Sequence, residues 1–154
     1  MNKWRLMKST DFELRKFIEL TYEVWPNHWE SPETLIARYH LCPKGFWMYY
    51  IDNNPRGYLM SHPGYLGIPP KLNEYYLLDK GPPTCYHIHD AAIVESARGN
   101  HAVDKIWPTV LKLAKDYTHI SLVAVDDTEP FWSRFGFVKD KKIRGYGTYM
   151  LKAL

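Results

Sequence analysis

Polar and apolar residues alternate from Lys3 to Lys8, the period of a half-buried first strand. The next segment, "STDFELRKFIELTYEVW", spaces Phe12, Phe17, Leu20, Tyr22 and Val24 along one face of a helix. Ser9 and Thr10 are its candidate N-caps, and Pro26 stops it. A second helix opens at Ser31-Pro32-Glu33-Thr34, with a capping serine and a first-turn proline, and runs through Leu35, Ile36 and Tyr39 to Pro43. "FWMYYID" and "RGYLMSH" read as two strands, with the hairpin turn at Asn53-Asn54-Pro55.

From Pro63 to Pro83 the chain carries two Pro-Pro pairs and three glycines and shows no period. Irregular stretches of that length usually belong to function or to motion. A strand follows at Tyr86–Val94, then a helix over about Ala102 to Tyr117 bearing Ile106, Val110, Leu111 and Leu113. Pro108 lies inside that helix and is expected to kink it or to shorten it from the front. "HISLVAV" is a buried strand and "TEPFWSRFGF" a short helix ending at Gly136. Two last strands sit around Phe137–Lys139 and Tyr146–Leu151. The order β-α-α-β-β-β-α-β-α-β-β describes one α/β domain with a mixed sheet over residues 1–154.

Composition narrows the class. Apolar content of 45% and charged content of 24% fit a globular domain able to bury a core. No run approaches the roughly 18 apolar residues of a membrane span, and the N-terminus lacks a signal peptide's apolar stretch. The net charge of +3 is too small to argue for nucleic acid, and the basic run Lys139–Arg144 reads as a solvated turn. Cys42 and Cys85 lack metal-ligand spacing, so reduced thiols and a cytoplasmic location are expected. Six Trp and twelve Tyr fill either a core or an aromatic-walled pocket.

Candidate chemistry gathers in "HIHDAAIVESARGNHAV", residues 87–103. It could be a metal site, an anion cradle or a core strand that carries histidines. Residues two apart on a strand share a face, so His87 and His89 project together while Asp90 points to the other side. A metal reading needs a further carboxylate, and no second His/Asp cluster accompanies the pair, so no metal is expected. At Glu95–Asn100 a strand ends and a helix begins, and helix-start amides suit a pyrophosphate.

These residues resemble the GNAT superfamily of N-acetyltransferases. "HDAAIVESARGNHAV" is similar to its acetyl-CoA-binding segment, whose pattern is Arg or Gln, two residues, Gly, one residue, then Gly or Ala. "LVAVDDTEPFWSRFGFV" is similar to the family's next strand and short helix, and "YGTYMLKAL" to a closing strand of bacterial members. The match is good over residues 45 to 154; the first strand and two helices fit by order alone. With Arg98 at the first motif position, His101 stands where glycine is expected and Val103 where Gly or Ala is expected.

The resemblance implies an α+β type of sheet, mixed and mostly antiparallel, flanked by helices and splayed between strands four and five. It implies acetyl-CoA as acetyl donor, its pantetheine pairing near Ile93 and Val94 and its pyrophosphate on Arg98, Gly99, Asn100, His101, Ala102 and Val103. Trp132 lines the donor site where relatives place a tyrosine that protonates the leaving thiolate. Tyr146 or Tyr149 replaces it, or the thiolate leaves unassisted. "HIHDAAIV" resembles arylalkylamine N-acetyltransferases, in which two histidines serve a water-mediated base; that role falls on His87 and His89. The acceptor is then a small-molecule amine or amino group, with "VWPNHWE" and "GYLGIPPKLNEYY" walling its site, in a monomer or homodimer. A CoA-binding regulatory domain without transfer activity and a metal-dependent hydrolase on the H-x-H pair are the competing readings.

Overall fold

The computed structural model describes residues 1–27, 29–125 and 127–154. β1 (Asn2–Leu6) leads to α1 (Asp11–Val24), whose N-cap Thr10 accepts from the Glu13 amide. α2 (Pro32–Leu41) is capped the same way, with Ser31 Oγ accepting from the Thr34 amide at 3.2 Å. It ends before Pro43, and a short 3₁₀ turn, Pro43–Gly45, feeds β2 (Phe46–Ile51). β3 (Asn54–Gly64) begins earlier than the sequence pattern suggests. The hairpin turn is Asp52-Asn53, not Asn53-Asn54-Pro55, because both central residues take positive φ (48° and 69°). That is the geometry a two-residue turn between twisted strands demands.

β4 (Cys85–Ile93) is followed by a 3₁₀ turn at Glu95–Ala97 and by α3 (Ala102–Leu113), which ends short of Tyr117. α3 runs through Pro108 and is not shortened from the front. β5 (His119–Val125), the five-residue α4 (Glu129–Ser133), β6 (Val138–Ile143) and β7 (Gly147–Ala153) complete the chain. Among the described residues no helix is long and apolar enough to cross a membrane.

One seven-stranded sheet has the order β1-β2-β3-β4-β5-β7-β6. Every neighbouring pair is antiparallel except β4–β5. That pair matches only Tyr86 with Ile120, His87 with Ser121 and Ile88 with Leu122, and beyond it the strands diverge. The sheet is therefore mixed, mostly antiparallel and splayed between its fourth and fifth strands. Phe17, Phe46 and Tyr58 pack edge-on at ring separations of 5.5–5.9 Å and seat α1 on the sheet. Ile106, Val110 and Ala114, all buried, seat α3. Both cysteines are free and buried.

Candidate active site

The splay is where chemistry concentrates, and a defect in β4 shapes it. Met60 pairs with Asp90 and Ser61 with Ile88, leaving His89 as the extra residue of a β-bulge. A bulge breaks strict alternation and re-aims side chains. His89 and Asp90, successive in sequence, both line one recess, which corrects the expectation that Asp90 faces the other way. The recess holds about 440 Å³ of empty space, including open solvent at its mouth. Leu35 and Leu72 line it with the rings of Trp25, Tyr58 and Tyr146.

His89 is anchored by Glu30, which the sequence pattern offered only as the end of the segment "VWPNHWE". Its Nε2 lies 2.7 Å from Glu30 Oε1, and both side chains are buried. Arg38, 3% exposed, stands 3.6 Å from Glu30 Oε2, and the Asn73 amide donates to the same oxygen. Burial alone would raise the Glu30 carboxyl; His89 and Arg38 outweigh it and hold Glu30 at about 2. An ionised carboxylate only accepts, so His89 Nε2 carries the donated proton. Its other ring nitrogen, Nδ1, is buried without a hydrogen-bond partner among the described residues. A neutral imidazole in that tautomer presents Nδ1 as a lone pair.

Asp90 is held differently. Tyr58 Oη and Trp25 Nε1 each donate to its Oδ2 at 2.6 Å. Burial pushes its carboxyl up, against the pull of Tyr58, His89 and Trp25.

His87 shares the face of His89, with ring centroids 6.2 Å apart, but lies deeper and outside the recess lining. Its Nδ1 is 2.8 Å from Ser121 Oγ, and burial, reinforced by His62, His89 and Arg38, drives its pKa well below the ordinary value. His62 on β3 completes a cluster of three rings. Its Nδ1 donates to the Pro63 carbonyl at 2.7 Å and its Nε2 faces Arg38, so it is neutral, with burial first and Arg38 second holding it at about 3. Among the described residues no three His, Cys, Asp or Glu side chains form a metal-holding group.

The two tyrosines separate. Tyr146 lines the recess; burial, then the charges of Glu30 and Asp90, raise its phenol. Tyr149 is fully buried outside it, and its hydroxyl accepts from the Gly67 amide at 2.9 Å. Of the two aromatic segments, Trp25, Glu30 and Leu72 reach the recess, while Trp29 is exposed against Tyr22. His28 of "VWPNHWE" and Asp126 of "LVAVDDTEPFWSRFGFV" lie outside the described residues.

A second hollow follows the splay itself. It shares Trp25, His89, Asp90, Val123 and Val125 with the recess and adds Phe131 and Trp132. Phe131 also borders a third hollow, formed by Ile93, Ala97 and every residue from Arg98 to Asp104, with Arg134 at its rim. Val94 lies outside it, its amide donating to the Arg56 carbonyl. Arg98 Nε donates to the Ile93 carbonyl at 3.0 Å, tying the loop to the end of β4.

Two residues of that loop take left-handed backbone: Gly99 at φ 93° and His101, the N-cap of α3, at φ 52°. Glycine reaches that region freely, and most other residues do so at a cost. His101 thus adopts the conformation of the glycine it replaces, with its ring exposed and Nδ1 3.5 Å from Asp104 Oδ2. The first amides of α3 have no intrahelical acceptor and open onto this hollow. Arg134, missed by the sequence pattern as a site residue, pairs with Asp104 at 3.1 Å.

Comparison with known proteins bears on this layout. A Pyrococcus horikoshii OT3 protein superposes with a TM-score of 0.76 at 16% identity, covering 100% of this chain and 99% of that one. The loading GNATL domain of CurA from Lyngbya majuscula gives 0.78 at 12% identity, over 99% and 98% of the two chains. A GNAT family acetyltransferase from Brucella melitensis, solved in complex with acetyl-CoA, gives 0.62 at 14% identity, over 100% and 88%. At such identities the likeness concerns the fold. No curated protein sequence matches. The family model described as Acetyltransferase (GNAT) family matches residues 13–137, taking in the bulged strand, the Arg98–Asp104 loop and the short α4. The chain belongs to the GNAT family of acetyltransferases.

Proposed function

We propose that the protein transfers an acetyl group from acetyl-CoA to the primary amine of a small molecule, by direct attack in a ternary complex. One observation carries this reading. The loop hollow, the splay and the Glu30–His89 recess lie side by side, the first two sharing Phe131 in their linings and the last two sharing His89 and Asp90.

The residues present suit an acyl-CoA. Arg98, Arg134 and the unpaired amides at the start of α3 offer positive charge to a pyrophosphate. The diverging edge of β4, from Ala91 to Ile93, offers backbone to a pantetheine arm, and Trp132 walls that passage. The acyl end then reaches the junction at His89.

An amine arrives protonated at neutral pH and attacks only after losing a proton. His89 Nδ1 takes it, and the ionised Glu30 stabilises the imidazolium that results. As the C–N bond forms and the C–S bond breaks, the CoA thiolate needs a proton. Trp132 cannot supply one, since an indole is not an acid of useful strength. Tyr146, lining the same recess and holding its proton firmly, donates a hydrogen bond to the sulfur, and the second proton shed by the attacking nitrogen passes to the thiolate to give free CoA thiol. His87 stands beside the base, its ring centroid 6.2 Å from that of His89, and is itself held by Ser121.

Acetyl-CoA at a hundredfold excess over its Kd should stabilise the fold by about 2.7 kcal/mol and raise its melting temperature. Thiol release from acetyl-CoA should then depend on added amine. A melting shift without amine-dependent release would favour the CoA-binding regulatory reading. No shift at all would remove the donor assignment.

A further inference from the structure

We propose that Asp90 is the ammonium anchor of the acceptor site and that the site selects amines without a carboxylate. This rests on the acetyltransfer reading and names the substrate class of that same recess.

The charges decide it. Glu30 is already matched by Arg38 and by the hydrogen bond from His89. Asp90 has two neutral donors, both on Oδ2, and no cation within ion-pair distance among the described residues. Its second oxygen, Oδ1, makes no hydrogen bond among them. A half-buried carboxylate without a cation bears part of the desolvation cost unmatched, and a ligand that brings one offsets it.

The lining supports the same ligand. None of its described residues is Lys or Arg, so a substrate carboxylate would meet two acidic side chains and no positive partner. Arg38 lies behind Glu30, outside that lining. A separate observation marks the place as a site: the His89 side chain is 2% exposed and lines the recess, yet its Nδ1 is unpartnered. An ammonium on Asp90 therefore sits beside the base that must deprotonate it. Leu35, Leu72, Trp25 and Tyr58 would cover a compact apolar body.

Matched pairs test this directly: isobutylamine against valine, and phenethylamine against phenylalanine. Binding to the wild-type protein in the presence of CoA is measured by calorimetry and by melting shift. The amines should bind at least tenfold more tightly than their carboxylated partners. Asp90→Asn keeps an acceptor for Tyr58 and Trp25, so it should fold and keep its melting shift with acetyl-CoA while losing tenfold or more in amine affinity. Equal binding within the pairs, no amine binding, or full amine affinity in Asp90→Asn would overturn the proposal. A retained acetyl-CoA shift alongside any of these would leave the acetyltransfer reading standing.

Discussion

His89 Nε2 and Glu30 Oε1 meet at 2.7 Å across 59 residues of chain, joining the bulge of β4 to the approach of α2. The contact fixes which nitrogen of His89 is free. Glu30→Gln would keep the shape of the contact and remove its charge, so the imidazolium formed during transfer would lose its stabilising partner. Turnover should fall on the order of 10²-fold, and His89→Gln should cost about 10²–10⁴-fold, with donor binding unchanged in both. The deficit of His89→Gln should shrink at high pH, where more amine is already deprotonated. Steady-state rates with a responsive amine across pH check this; a Glu30→Gln enzyme of full activity would return Glu30 to a purely structural role.

Tyr146 and Tyr149 should behave differently when each loses only its hydroxyl. Tyr146→Phe removes a donor from the recess and should lower turnover about tenfold. Tyr149→Phe leaves the Gly67 amide without its acceptor and should cost about 1 kcal/mol of stability. Its turnover should hold. Parallel melting curves and initial rates separate the two.

The three-histidine cluster predicts acid lability. His62 is held at about 3 against an ordinary 6.5, so between those values the unfolded chain binds a proton the folded one refuses. Stability therefore rises with pH in that window and is lost as pH falls through it, by about 1.4 kcal/mol per unit. His87, also depressed, adds in the same direction. Glu30 contributes stability above about 4.5 that disappears toward 2, while the raised carboxyl of Asp90 offsets part of the loss. Denaturant midpoints across this range should show the slope, and His62→Asn should flatten it.

His101→Gly tests a strained position. Glycine accepts φ 52° without penalty, so the apo protein should gain about 1 kcal/mol. The lost imidazole should slightly weaken acetyl-CoA binding. Melting of the free protein gives the first effect and titration with acetyl-CoA the second; tighter binding would mean that the ring crowds the phosphates.

The element order was legible in the sequence because it rests on local signals, namely capping residues, periodic apolar faces and prolines, whereas the splay between the fourth and fifth strands was expected only from the family resemblance. The loop from Arg98 to Val103 was legible as one contiguous segment, and the structure gathers it around one hollow. Arg38 was not, and Glu30 was legible only as the end of an aromatic segment, since nothing near them in sequence hints that the residue before α2 meets His89 on β4 and that α2 brings Arg38 against it. Asp90 was misplaced because alternation assumes a regular strand, and a bulge cannot be read from residue types alone. Tyr146 and Tyr149 looked equivalent until the register of β7 put Tyr149 opposite Val123 in the core.

The three-residue pairing of β4 with β5 divides the sheet into two antiparallel leaves, β1–β4 and β5–β7, with little backbone between them. Such leaves can open as separate cooperative units, so their amides should exchange with solvent at distinct rates. A donor lying in the splay would bridge both leaves. Its binding should slow exchange on each side of the divide together, making the substrate itself part of what holds the sheet in one piece.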